Sequence, residues 1–177
     1  MAMDTQQFRE LIQTHQRMVF SIALRVTGEH GVAEEVAQDV FLELYRGGEK
    51  LESADHTKFW LRRVTVNKAT DSLRRRAHRP EALAEEWIEE SHAANSSDAG
   101  PISPAVEARL EELLRTLPEP MRVAVVLRHQ EDMLPDEIAE LLKQPLATVK
   151  SNLQRGLQLM RRKAAVTMKE FVREQHA

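Results

Sequence analysis

The sequence predicts an all-α protein: two small helical domains joined by a flexible acidic linker, the second carrying a helix-turn-helix. Three observations lead there. The 177 residues are rich in Ala, Leu, Glu, Arg and Gln and only 5% aromatic, a mixture that favours helix over sheet. Apolar residues recur at threes and fours, and no period-two alternation outlasts a few residues. One stretch of small and polar residues with Gly and Pro, "AANSSDAGPISP" over 93–104, separates two helical runs.

The elements follow in order. Phe8, Leu11, Ile12, His15, Val19, Ile22 and Val26 line one face of a long amphipathic helix. Gly28 and Gly31 interrupt it. A second helix starts near Val32 and runs to about Arg46, where Gly47 and Gly48 stop it. A polar loop, "GGEKLESADHTK", leads to a third helix from Phe59 to about Arg76, ended by Pro80. The acidic "EALAEEWIEESH", with Leu83, Trp87 and Ile88, is a short helix or an extended segment. Val106, Leu110, Leu113, Leu114 and Leu117 restart the helical pattern, and Pro118 and Pro120 punctuate it before the apolar run Met121 to Leu127. Two further helices are expected, Pro135 to about Lys143 and Thr148 to about Arg173. The expected boundaries are 1–80 for the first domain, 81–104 for the linker and 105–177 for the second.

Charge is segregated along this frame. The formal net charge is only −3, yet Trp60 to Pro80 carries +6, Glu81 to Glu112 carries −8 and Lys143 to Arg173 carries +7. A polyanion responds to such blocks and not to their sum.

On a helical wheel, Phe59, Val66, Ala69 and Leu73 share the packing face of the third helix. Trp60, Arg63, Asn67, Lys68, Arg74 and Arg75 share the other, with Val64 and Asp71 among them. Cations neutralise phosphates, an indole offers a stacking plane to an unpaired base, and an Asn amide pairs with a base edge. That set suits a strand with exposed bases. A solvated Arg-rich helix with Trp60 buried is the alternative.

"MLPDEIAELLKQPLATVKSNLQRGLQLMRRK" has helix–turn–helix form. Pro135 stands at a first helical position. Ile138, Ala139, Leu141 and Leu142 supply the packed side, "QPLA" the turn, and Thr148 a cap for the next helix. There Val149, Leu153, Gly156, Leu157 and Met160 share one face, with Ser151, Asn152, Arg155, Gln158 and Arg162 opposite. Apolar residues inward and short polar or Arg side chains outward describe a recognition helix. Arg155 can read guanine and Asn152 adenine, while Lys150, Arg161 and Lys163 suit phosphates. A helical hairpin with a basic outer side is the plainer reading.

The helix from Val32 to Arg46 differs. Ala33, Val36, Ala37, Val40 and Leu44 face inward, and Glu35, Asp39, Leu42 and Arg46 form the outer stripe. An outward Leu among acids fits a protein-docking face; a solvated helix face explains it equally.

Several classes are disfavoured. Without cysteine there is no disulfide, thiolate metal site or cysteine nucleophile. His15, His30, His56, His78, His92, His129 and His176 lack metal-ligand spacing, and no phosphate-cradling glycine loop or nucleophile motif occurs. No enzyme activity, cofactor or metal is expected. No apolar run reaches membrane-spanning length, and "MAMDTQQFRE" lacks the features of a signal peptide, so a cytoplasmic protein with no membrane insertion is expected. A free-standing regulator that binds duplex DNA through its second domain remains open on these grounds. The Trp60/Asn67 face and the outward Leu42 are features it does not need.

Together "AEEVAQDVF", "WLRRVTVNKATDSLRRR", "LRTLPEPMRVAVVLRH" and "DEIAELLKQPLATVKSNLQR" resemble, in order and spacing, a bacterial extracytoplasmic-function (ECF) RNA polymerase sigma factor. The resemblance covers about Phe8–Pro80 and Val106–Lys163. It implies a first domain that binds the β′ clamp of core RNA polymerase and opens the −10 promoter element. It implies a second that binds the β flap and reads the −35 element as duplex. Glu35, Asp39 and Leu42 then match the polymerase-docking helix. Trp60, Asn67 and the Arg-rich turn match the melting helix, and Gly47–Lys58, with Leu51 and Ser53, matches the base-capture loop. Lys150, Ser151, Asn152 and Arg155 match the recognition positions, with Gln158 on the same face. The acidic linker matches the segment that threads toward the polymerase active site and RNA exit path, where its charge mimics RNA. An anti-sigma partner is also implied. The chain departs from the family pattern where Leu51 and Ser53 replace an aromatic–x–glycine element and where Leu134 takes the place of a Ser cap. Ala147 stands where glycine is usual, and Asn152 where a basic residue is frequent.

Overall fold

The computed structural model describes residues 3–47, 51–78 and 104–175. Among them are seven helices and no strand, as composition and periodicity require. They are α1 Thr5–Thr27, α2 His30–Gly47, α3 Ala54–Ala77, α4 Pro104–Arg115, α5 Glu119–His129, α6 Pro135–Leu142 and α7 Leu146–Gln175. The acidic stretch with Leu83, Trp87 and Ile88, and most of the expected linker, lie outside the described residues.

α1, α2 and α3 pack on one another around Val19, Ile22, Val26, Val36, Val40, Leu44, Leu61 and Val66, all buried. The turn from α1 to α2 depends on Gly28. Its φ of 76° lies in the left-handed region, where a side chain is strained, and its N–H donates to Leu24 O at 2.7 Å. α3 begins five residues before the expected Phe59. Ser53 caps it, its hydroxyl accepting from His56 N–H at 3.1 Å. The wheel also placed too few residues inside, because Thr57, Leu61, Thr65 and Thr70 are buried with Val66 and Ala69. Buried threonine is tolerated because each hydroxyl donates to the carbonyl four residues back: Thr57 to Ser53 O, Thr65 to Leu61 O, Thr70 to Val66 O.

In the second half, Leu114, Leu117, Val125 and Val126 form a small core closed by α7. α5 and α7 meet at Gly156, where an added Cβ would stand 3.0 Å from Val125 Cγ2 and 3.4 Å from Met121 Cβ. A side chain at 156 would require Val125 to give way by a few tenths of an ångström. α6 starts without a side-chain cap at Leu134. Glu137 Oε2 instead accepts the Leu134 N–H at 2.7 Å, half of a capping box, and Pro135 sets the first φ. The missing Ser cap is offset in this way. One turn expectation is corrected. α7 begins at Leu146, so Thr148 lies inside it, its N–H bonded to Pro145 O at 3.0 Å. The turn's left-handed residue is Lys143 (φ 52°).

The halves are not separate bodies. Val123, Leu127, Met133, Ile138, Leu141 and Val149 belong to the same buried cluster as the α1–α3 core. α4 and α5 pack on α1, and α6 packs on α3.

Candidate nucleic-acid interface

α3 holds the first candidate surface. Asn67, Arg74 and Arg75 are exposed, and Trp60, Arg63 and Lys68 are half-buried. The indole of Trp60 is not sealed inside; it leans against the core from its margin. Part of its side chain therefore packs on the core and part stays in reach of solvent. Ser53 sits exposed at the N-cap of this helix, and Leu51 packs partly against the core. Both residues therefore hold up the start of α3, whatever else they touch.

Several cations of α3 are already held by carboxylates. Lys68 Nζ lies 2.9 Å from Glu43 Oε2, and Arg76 pairs with Glu29. Arg74 donates to both oxygens of Glu119, at 3.3 and 3.4 Å. Arg62, which the wheel left off both faces, donates to Glu131 Oε2 at 2.9 Å and to Glu131 O at 3.2 Å. Arg63 and Arg75 form no ion pair among the described residues.

α7 holds the second surface. Val149 and Gly156 are buried, Leu153, Leu157 and Met160 half-buried, and Lys150, Arg155 and Gln158 exposed, with Ser151 and Asn152 half-exposed between them. The helical period separates these faces as expected. Among the described residues neither Lys150 nor Arg155 forms an ion pair.

The third surface is on α2. Glu35, Asp39 and Leu42 are all exposed, Leu42 at 51%. Beside them runs an open groove of about 830 Å³, walled by Phe8, Ile12, Phe20, Ala37, Phe41 and Leu42. Alternation on α2 located the stripe. The groove needs α1 beside it and had no signal in either segment.

Sequence reasoning missed the seam between the halves. Arg122 of α5 donates to Val26 O at 2.6 Å, to Arg115 O at 2.7 Å and to Leu117 O at 3.0 Å. Val26 O is one of the carbonyls that the last turn of α1 leaves without an intrahelical partner. Burial pulls the Arg122 guanidinium below its ordinary pKa, Glu119 acting in the opposite sense. Arg25 donates to Gln130 Oε1 at 2.7 Å, and Gln130 donates to Glu131 Oε1 at 3.0 Å. The His15 imidazole, near Lys58 and Arg62, is held below its usual value first by burial and then by those two cations.

No helix of the described residues is long and apolar enough to cross a membrane. None of their His, Asp and Glu side chains cluster in a way that could hold a metal ion.

Residues 11–79 match the Sigma-70 region 2 family and residues 107–160 the Sigma-70, region 4 family. The chain is 30% identical over 163 residues to the RNA polymerase sigma-H factor of Pseudomonas aeruginosa, covering 86% of this chain and 83% of that one. It is 32% identical over 157 residues to the ECF RNA polymerase sigma factor SigE of Mycolicibacterium smegmatis, covering 86% and 59%. Against the ECF RNA polymerase sigma-E factor of Escherichia coli K12 the identity is 28% over 161 residues, covering 86% and 84%. In fold it resembles the sigma factor RpoE solved with the anti-sigma factor NepR from Bartonella quintana, with a TM-score of 0.72 at 18% identity, covering 92% of this chain and 99% of that one. It also resembles CnrH in complex with the cytosolic domain of CnrY, with a TM-score of 0.64 at 17% identity, covering 92% and 90%.

Proposed function

The chain belongs to the extracytoplasmic-function group of RNA polymerase sigma factors, and on that premise we propose how its three surfaces divide the work of initiation. The protein directs core RNA polymerase to promoters. The stripe Glu35, Asp39 and Leu42 on α2 docks on the β′ clamp, the neighbouring groove accepting apolar side chains. The α3 face of Trp60, Arg63, Asn67, Lys68, Arg74 and Arg75 holds the −10 element once its strands separate, with Leu51 and Ser53 at its entrance. Lys150, Ser151, Asn152, Arg155 and Gln158 on α7 read the −35 element as duplex, and the surrounding second domain meets the β flap. The division into domains 1–80 and 105–177, with 81–104 as linker, belongs to the same reading. So do a cytoplasmic site of action, where polymerase works, and the absence of any catalysis by the chain itself. An anti-sigma protein that masks one or more of these surfaces is a further partner.

One observation carries the reading. A half-buried Trp60, an exposed Asn67 and Arg63, which has no ion pair among the described residues, share a helix within the residues matched to region 2. Stacking plane, amide and cation together recognise an unpaired strand, which a duplex-only regulator does not require. Run-off transcription with core polymerase on genomic fragments tests it. Discrete transcripts that depend on the added chain support the assignment. Their absence, with active core and folded protein, overturns it.

A further inference from the structure

Between Glu81 and Ser103 the chain carries six acids and no Lys or Arg. Its most acidic part sets Trp87 and Ile88 between Glu85 and Glu86 on one side and Glu89 and Glu90 on the other. These residues lie outside the described ones, yet the points where the chain leaves and rejoins the fold are placed. In the last turn of α3, Arg74 donates to Glu119 at 3.3 and 3.4 Å, just past Thr116 and the end of α4. The chain rejoins at Pro104, the first residue of α4. The stretch thus starts near one end of α4 and finishes at the other. An open cleft of about 360 Å³ runs between α4 and α7. Leu113 and Val166 are its apolar walls, and Val166 is 57% exposed. Arg109, Arg162 and Lys163 stand around them, with Glu112 held by Arg109 at 2.8 Å. Lys163 also donates to Thr116 O at 3.2 Å. Arg162, Val166, Lys169 and Arg173 recur at fours and threes, so one side of α7 carries cations around an apolar residue. Among the described residues, Arg162, Lys169 and Arg173 form no ion pair.

We propose that the acidic stretch docks on this cleft in the free chain, Trp87 and Ile88 meeting Leu113 and Val166 while the glutamates on either side face Arg109, Arg162 and Lys163. The order acid, apolar, acid along the stretch answers the order cation, apolar, cation around the cleft. The tether allows it. Trp87 stands 17 positions before Pro104, a reach of about 56 Å at ~3.3 Å per residue. All of α4 measures roughly 18 Å at ~1.5 Å per residue. Tethering keeps the local concentration high, so modest contacts suffice. Burial of the indole and of the Ile88 side chain supplies most of the drive. The ion pairs are exposed and screened, and each contributes little; they set which way the stretch lies. The distal half of α7 is then covered by the chain's own carboxylates, while Lys150 and Arg155, toward the other end of that helix, stay clear. The proposal concerns the free chain and does not depend on the promoter reading.

Trp60→Phe leaves Trp87 as the sole tryptophan of the full-length chain. Its quenching by acrylamide is compared with that of a peptide of residues 79–103. In the folded chain Trp87 should be quenched several-fold less and should emit further to the blue. Val166→Asp, and separately Arg162→Glu combined with Lys163→Glu, should return it toward the peptide value. Arg9→Glu, a charge reversal of the same kind at an exposed position of α1, should not. Circular dichroism checks that each variant keeps its helices. If Trp60→Phe itself disturbs the fold, the indole N–H resonance of Trp87 in the wild-type chain, assigned by its loss in Trp87→Phe, takes its place and should move on Val166→Asp. A Trp87 as open to acrylamide as in the peptide, or an indole resonance indifferent to Val166→Asp, overturns the docking. Protection that survives both cleft variants overturns the cleft as its seat. Protection that falls on dilution assigns the occupant to a second copy and overturns docking within one chain.

Discussion

α3 and the first half of α7 are both basic and both face outward, but their cations are differently placed. On α7, Lys150 and Arg155 are exposed and form no ion pair among the described residues. On α3, Lys68, Arg74 and Arg76, with Arg62 beside them, are already paired with Glu43, Glu119, Glu29 and Glu131. In the reading proposed above, the α7 surface meets a duplex as it stands, whereas Lys68 and Arg74 on α3 meet phosphates only by leaving Glu43 and Glu119. Positive charge in a segment thus does not by itself mean that its cations are available.

The largest change that would break the comparison is Leu61→Ala. Leu61 is fully buried under α3, and truncating such a side chain costs about 2–5 kcal/mol. Urea unfolding should show that loss, and α3 should fail as a platform while an intact α7 surface keeps its contacts. A loss below ~1 kcal/mol would mean that Leu61 is not tightly packed. Next come Trp60→Ala and Arg155→Ala, read side by side. Loss of one stacked base costs about 1–3 kcal/mol, and so does loss of one bidentate base contact. Trp60→Ala should weaken the heparin-resistant open complex and leave −35 base preference alone; Arg155→Ala should do the reverse. Identical defects on both assays would erase the distinction between the two surfaces.

Glu137→Ala is a smaller test on the α6–α7 side. It removes the acceptor of the Leu134 N–H and should cost on the order of 1 kcal/mol, as for a lost cap, measured by denaturant unfolding. Unchanged stability would show that Pro135 alone suffices to start α6. Smallest is the pH dependence tied to His15. Its folded-state pKa is lowered, so the unfolded chain takes up a proton at a higher pH than the folded one. Stability is then complete above the ordinary histidine range. It falls as pH drops through about 6.5 toward the lowered folded value. His15→Gln should flatten that slope. An unaltered slope would locate it in other groups.

Much of the molecule was legible beforehand. The inward and outward faces of α2 and α7 came out as read, because each packs along one stripe and a single helical period describes it. α3 was read only in part. Helices meet it from two directions, so Leu61, Thr65 and Thr70 are buried together with the expected Val66 and Ala69, and no single stripe could show that. Thr148 looked like a cap because Thr caps helices often, but Pro145 was already at hand to begin α7 one turn earlier.

By itself the sequence determined that the chain is helical, where its charge blocks lie, and which residues of α2 and α7 face outward. Those properties follow from local propensity and short periods, which neighbouring residues set among themselves. Only the tertiary structure decided that Arg62 belongs to Glu131, 69 positions away, that Arg74 belongs to Glu119, 45 away, and that Arg122 completes the end of α1. Such partnerships depend on how whole helices come to rest on a shared apolar core, and nothing in the spacing of charges along a chain encodes which carboxylate will arrive.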